Sequence, residues 1–167
     1  MPKAAKTAQL QIRVSREQKA AIQRAARQSG MDMSAYVLAR VLPAQGRRFA
    51  QLIEACRATR TERFALAELN SWLGTLSASE LRLALCDPPA ALARLTPFVA
   101  NYVAAMVEYA GAGRDVASPA WTRTIPPLTE PAFGTTLMSL RLHLLTHSPA
   151  PFRRRNIFID ATIGAQV

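Results

Sequence analysis

The stretch Gln9-Leu10-Gln11-Ile12-Arg13-Val14-Ser15-Arg16-Glu17-Gln18 decides the fold of the first quarter of this chain. Its first six residues alternate polar and apolar without a break. A period of two predicts a strand with Leu10, Ile12 and Val14 on one face and Gln9, Gln11 and Arg13 on the other. Ser15 to Gln18 then spells S-x-x-Q, a capping box that opens a helix. That helix presents Ile22, Ala25 and Ala26 on one side, and Gly30 stands where a left-handed residue would close it. Asp32 suits the N-cap of a second helix running from Met33 to about Leu42, with Met33, Val37, Leu38, Val41 and Leu42 as its apolar stripe. Pro43 and Gly46 end it. A lone strand leaves its backbone donors and acceptors unpaired, and two short helices bury too little to fold alone. Both problems disappear if two chains pair strand to strand and interleave their helices, so a homodimer is expected through strand 9–14 and these two helices.

With that pattern in view, the head resembles the ribbon-helix-helix family and, within it, the antitoxin-type repressors. The resemblance rests on Leu10-Gln11-Ile12-Arg13-Val14-Ser15, Glu17-Gln18-Lys19, Ala25-Ala26 and Ser29-Gly30-Met31-Asp32, followed by Ser34, Tyr36 and Val37. It implies a two-stranded ribbon that enters the major groove of double-stranded DNA. Gln9, Gln11 and Arg13 would then meet base edges: Arg can bridge guanine O6 and N7, and Gln can pair with adenine N6 and N7. The free N–H groups at the start of the second helix, near Met33 and Ser34, would hold a backbone phosphate. Lys3 and Lys6, in a basic arm spanning residues 1–8, are the other expected phosphate contacts. Arg16, Arg47 and Arg48 are further phosphate candidates, with exposed solvated charges as the plainer reading.

Charge agrees with a polyanionic partner. Residues 1–48 hold ten Lys and Arg against Glu17 and Asp32, a net of +8, while the other 119 residues carry eleven Arg against nine acids, a net of +2. No run of about 18 uncharged apolar residues occurs, which argues against a membrane span. The first residues lack the apolar core of a secretory signal, so a cytoplasmic location is expected. Cys56 and Cys86 sit in apolar helical contexts and read as buried free thiols.

The organisation expected is therefore an arm over 1–8, a ribbon-helix-helix module over 9–45, and a mainly helical domain over 46–167. The protein as a whole is expected to be mainly α. In the last region Phe49, Leu52, Ile53 and Cys56 recur at helical spacing, and Thr61 to Leu73 continues with Phe64, Ala67, Leu69 and Trp72. Ser77-Ala78-Ser79-Glu80 is a second capping box, and Asp87-Pro88-Pro89 stops its helix. Thr96-Pro97 predicts an N-cap followed by Pro at the first helical position, leading a helix to about Ala110. Residues 112–134 are proline-rich and read as an extended surface loop anchored by Trp121, Ile125, Leu128 and Phe133. A helix over Thr135 to His147 follows, then a basic turn at Arg153-Arg154-Arg155 and a short strand or extended tail.

Little here nominates catalysis. There is no G-x-S-x-G, no glycine-rich phosphate loop and no C-x-x-C. His143 and His147 share a helix face at i and i+4, but no acid or cysteine completes a metal site, so no metal and no cofactor are expected. Arg153 to Arg155 suit a second DNA-backbone contact or an acidic partner's docking site, with a solvated basic turn as the plainer reading. The leading expectation is a non-enzymatic, sequence-specific repressor of its own operon, possible antitoxin of a toxin partner bound by the C-terminal domain. The alternatives are a plasmid accessory or partition protein, and an enzyme or sensor domain carried by a DNA-binding head.

Overall fold

The structure is a computed structural model of one chain and describes residues 11–28, 30, 32–34, 36–37, 44–58 and 60–160. The chain divides into two units, Met1–Leu42 and Pro43–Val167. It is mainly helical, with one two-stranded sheet among the described residues.

In the first unit α1 spans Arg16–Gln28. Its start is the expected capping box: the Gln18 N–H donates to Ser15 Oγ at 3.1 Å, and the Ser15 N–H donates to Gln18 Oε1 at 2.9 Å. Gly30 closes it at φ +64, its N–H donating to the Arg27 carbonyl. Met33, Ser34, Tyr36 and Val37 are helical, and the Tyr36 N–H donates to the Asp32 carbonyl at 2.9 Å, as the N-cap reading of Asp32 requires. Of the expected strand over 9–14, the described residues 11–14 are not in a strand in this single chain. Gln11, Ile12, Arg13 and Val14 are exposed and without regular structure, and Gln9 and Leu10 lie outside the described residues. The physical reason is the one that called for a dimer: a single strand has no ladder to join.

The second unit has its own core. α2 (Ala44–Ala55) packs on α3 (Glu62–Thr75) and α4 (Ala78–Leu85), and α5 (Pro97–Ala112) packs on α3 and α4 from its own side. Phe49, Leu52 and Ile53 of α2 are fully buried with Leu69 and Leu73 of α3, Leu81 of α4, and Val99 and Val103 of α5. Burial of each such side chain contributes about 1.5–3 kcal/mol. Phe49 stacks on Trp72 with ring centroids 6.1 Å apart. The inward face of α3 is Ala65, Leu66, Leu69 and Leu73. Phe64 and Ala67 lie off that stripe and are exposed, Phe64 under the Arg63 guanidinium.

Helix starts in this unit follow local chemistry. Ser77 and Glu80 form the reciprocal capping box, and the Ser77 hydroxyl and N–H hold the Glu80 carboxyl below its usual range. Thr96 caps α5 through the Val99 N–H, with Pro97 at the first position. α5 runs to Ala112 with Gly111 inside it, where a Cβ would meet the Val116 carbonyl oxygen at 2.8 Å.

The proline-rich segment is more than a surface loop. Residues Ala120–Thr124 form a 3₁₀ turn that buries Trp121 and Thr122, and Trp121 Nε1 donates to the Leu85 carbonyl at 2.9 Å. Further on, β1 (Ala132–Phe133) pairs in parallel with β2 (Ile157–Phe158), and Phe133 stacks on Phe158. Between the strands lie α6 (Met138–His147) and the single-turn α7 (Ala150–Arg153). Asn156, at φ 61, turns the chain from α7 into β2, a conformation that asparagine tolerates better than most residues. α6 buries Leu144 but leaves Leu137, just before it, and Met138, Leu140, Leu142 and Leu145 exposed.

The two thiols part company. Cys56 is buried as expected; Cys86 is exposed, at the end of α4 where Asp87-Pro88-Pro89 leads the chain away. Burial, aided by Glu62, pushes the Cys56 thiol up to about 11, and a hydrogen bond to Asp87 raises Cys86. Alkylation of the native protein at pH 8 should therefore modify Cys86 slowly and Cys56 only after denaturant is added. Equal labelling of both would mean that the inner face of α2 opens readily. Because Cys56 ionises near pH 9.0 when released and near 11 when buried, the folded unit loses stability as pH rises across that window.

Candidate nucleic-acid interface

The head presents a one-sided distribution of charge. Arg16, Lys19, Gln23 and Arg27 follow one another at intervals of three and four residues, so they form a single stripe along α1. All four are exposed, as are Arg13 and Arg24. None of these arginines and lysines has an ion-pair partner among the described residues. The other side of α1 carries Ile22 and Ala25, half-buried, and Ala26, buried. The capping box fixes where α1 begins, so Gln11 and Arg13 stand immediately before the basic stripe. Their apolar neighbours Ile12 and Val14 are 58% and 42% exposed, an apolar pair largely open to solvent.

Of the expected base-reading residues, Gln11 and Arg13 are exposed and Gln9 lies outside the described residues. Of the expected phosphate contacts, Met33 and Ser34 are exposed in the first helical turn after Asp32. Lys3 and Lys6 lie outside the described residues. Arg48, read from sequence as solvated, belongs to the second unit, where it pairs with Glu68 across α2 and α3.

The three adjacent arginines of the tail have three different fates. Arg153 is exposed and reaches the Thr146 carbonyl at 3.4 Å. The Arg154 side chain is 68% exposed and lies 3.6 Å from Glu108. Arg155 is buried. Its Nη2 donates to Glu108 Oε1 at 2.5 Å and to the Thr122 carbonyl at 2.7 Å, and its Nη1 donates to Asn101 Oδ1 at 3.1 Å and to the Ile125 carbonyl at 3.4 Å. Asn101 and Glu108 are seven residues apart on α5, two turns along one face, and are its buried polar residues. Sequence reasoning missed this cluster. The signal was present: one carboxylate in the apolar run Val103 to Val107 and beyond needs a cation beside it. His143 and His147 stack with ring centroids 3.9 Å apart, and no cluster of three or more metal-ligating side chains occurs among the described residues.

A basic, exposed helical head ahead of a separately cored helical unit is thus the arrangement to be compared with known proteins. A family model described as NikA-like, mobilization protein NikA, matches residues 4–51. That span contains the residues that carry the ribbon-helix-helix resemblance. No curated protein and no solved structure gives a significant match. Among the described residues no helix is long and apolar enough to cross a membrane.

Proposed function

We propose that this chain is a DNA-binding accessory protein of plasmid mobilization, acting in the cytoplasm as a homodimer and without catalysis of its own. The observation that carries the reading is the mobilization-protein match, which falls on the most basic part of the chain. Two chains would pair residues 9–14 into a ribbon, covering the apolar row of Ile12 and Val14. The ribbon would offer Gln9, Gln11 and Arg13 to base edges in the major groove. Lys3, Lys6, Met33 and Ser34 would hold the flanking phosphates, and the α1 stripe would add long-range attraction. The mobilization description favours this role over an autorepressor. A folded second unit also lends little support to an antitoxin, whose toxin-binding segment is often disordered when free.

Footprinting on plasmid DNA and on the DNA upstream of the chain's own gene, with light scattering on the free protein, tests the reading. A dimer occupying clustered sites on the plasmid is the expected result, with affinity falling steeply as salt rises. A monomer with no preference for either DNA would overturn it. A single operator upstream of the gene would return the repressor reading to first place.

A further inference from the structure

Beside the Arg155–Glu108 pair the surface of the second unit sinks into an open depression of about 330 Å³, lined among others by Glu108, Ser118, Thr122, Arg123, Arg154 and Arg155. Three guanidiniums and one carboxylate border it, leaving two positive charges in excess. The carboxylate is already engaged by Arg155 at 2.5 Å. Arg123 is exposed and has no ion-pair partner among the described residues, and the Ser118 hydroxyl has no hydrogen-bond partner among them. A further donor is stranded. Of the five N–H groups of Arg155 four have acceptors, while the Nε–H is buried without one.

We propose that this depression binds a phosphate group. Arg123 and Arg154 are the exposed guanidiniums that would close on it, Ser118 would donate its hydroxyl, and the buried Arg155 would form the floor. The chemistry favours phosphate over a carboxylate for two reasons. Guanidinium forks match phosphate oxygens two at a time, and a tetrahedral anion offers oxygens to donors arriving from several sides. A phosphate monoester also carries a charge of about −1.5 to −2 near neutral pH, which balances the excess in the depression. The phosphate could belong to a free phosphate compound or to the backbone of a nucleic acid. The site does not depend on how the head reads DNA, because inorganic phosphate alone tests it.

Titrating inorganic phosphate into the full chain at constant ionic strength, against a chloride control, checks the proposal. The readouts are amide resonances of residues 118–125 and 153–156, together with the melting temperature. Saturable shifts confined to those residues are expected, weakened at least tenfold in Arg123→Ala and abolished in the Arg123→Ala/Arg154→Ala double variant. Both arginines are exposed, so the variants should fold, and unchanged resonances elsewhere would verify it. Shifts that chloride reproduces, or that both variants retain, would overturn the site. A second arm identifies the source using duplex DNA over a salt series. If the double variant lowers the salt slope by about one, the site holds a backbone phosphate. If phosphate binding is lost and the slope is unchanged, it serves a free phosphate compound.

Discussion

Arg155→Met should destabilise the second unit by about 3–5 kcal/mol, the usual cost of removing one partner from a buried ion pair. The change keeps much of the side-chain volume and so isolates the lost charge. It leaves Glu108 in an apolar setting with only the more distant, exposed Arg154 for company, and strips donors from Asn101 Oδ1 and from the Thr122 and Ile125 carbonyls. A fall in melting temperature on the order of 10–20 °C corresponds to that loss for a unit of this size. Adding Glu108→Leu should recover part of it. The carbonyls stay unpaired, so the double variant remains below wild type. Urea unfolding of wild type, Arg155→Met, Glu108→Leu and the double variant gives the coupling directly. A cost below about 1 kcal/mol for Arg155→Met would mean that water reaches Glu108 freely, and that the pair behaves as a surface ion pair.

The second large effect concerns the head. Replacing Gln9, Gln11 and Arg13 together with Ala should abolish discrimination between a cognate site and a scrambled one while leaving a dimer. Each bidentate base contact contributes about 1–3 kcal/mol, a factor of roughly 5 to 150 in relative affinity, and a symmetric dimer makes each contact twice. Leu10, Ile12 and Val14 remain, so the apolar row that pairing would cover is intact. Residual, unselective binding through Lys3, Lys6 and the α1 stripe should persist and should keep most of its salt dependence. Fluorescence anisotropy with both DNA duplexes across a salt series measures this. Equal selectivity in variant and wild type would assign recognition to other residues and reduce residues 9–13 to an ordinary polar edge.

What could be read from the sequence was what depends on near neighbours. The capping boxes at Ser15–Gln18 and Ser77–Glu80 and the Thr96–Pro97 start are each settled within four residues, and each appears in the structure as expected. Gly30 belongs to the same category. Trp121 and Arg155 were beyond local reading because their partners lie far off: Leu85 is 36 residues from Trp121, and Glu108 is 47 from Arg155. The triplet Arg153-Arg154-Arg155 announces a basic turn but not which member turns inward; that depends on where α5 places Glu108. Cys86 shows the same limit, since its apolar neighbours in sequence suggested burial and only the end of α4 exposes it. The strand over 9–14 is a different case. Its alternating pattern is plain, but residues 11–14 join no sheet in the single chain, where a lone strand has no ladder to pair with.

The Arg155 cluster also bears on the order in which the second unit assembles. Its hydrogen bonds span 30, 33, 47 and 54 residues of chain, whereas the packing of α2 on α3 joins consecutive helices. Contacts that close long loops cost more entropy to form before they return any stabilisation, so they tend to come late. The helical layers would condense first, and insertion of Arg155 against α5 would be a closing step. In kinetic terms, weakening this cluster should accelerate unfolding and leave the refolding rate almost untouched. Arg155 would then act as a latch, governing how long the unit stays folded more than how quickly it gets there.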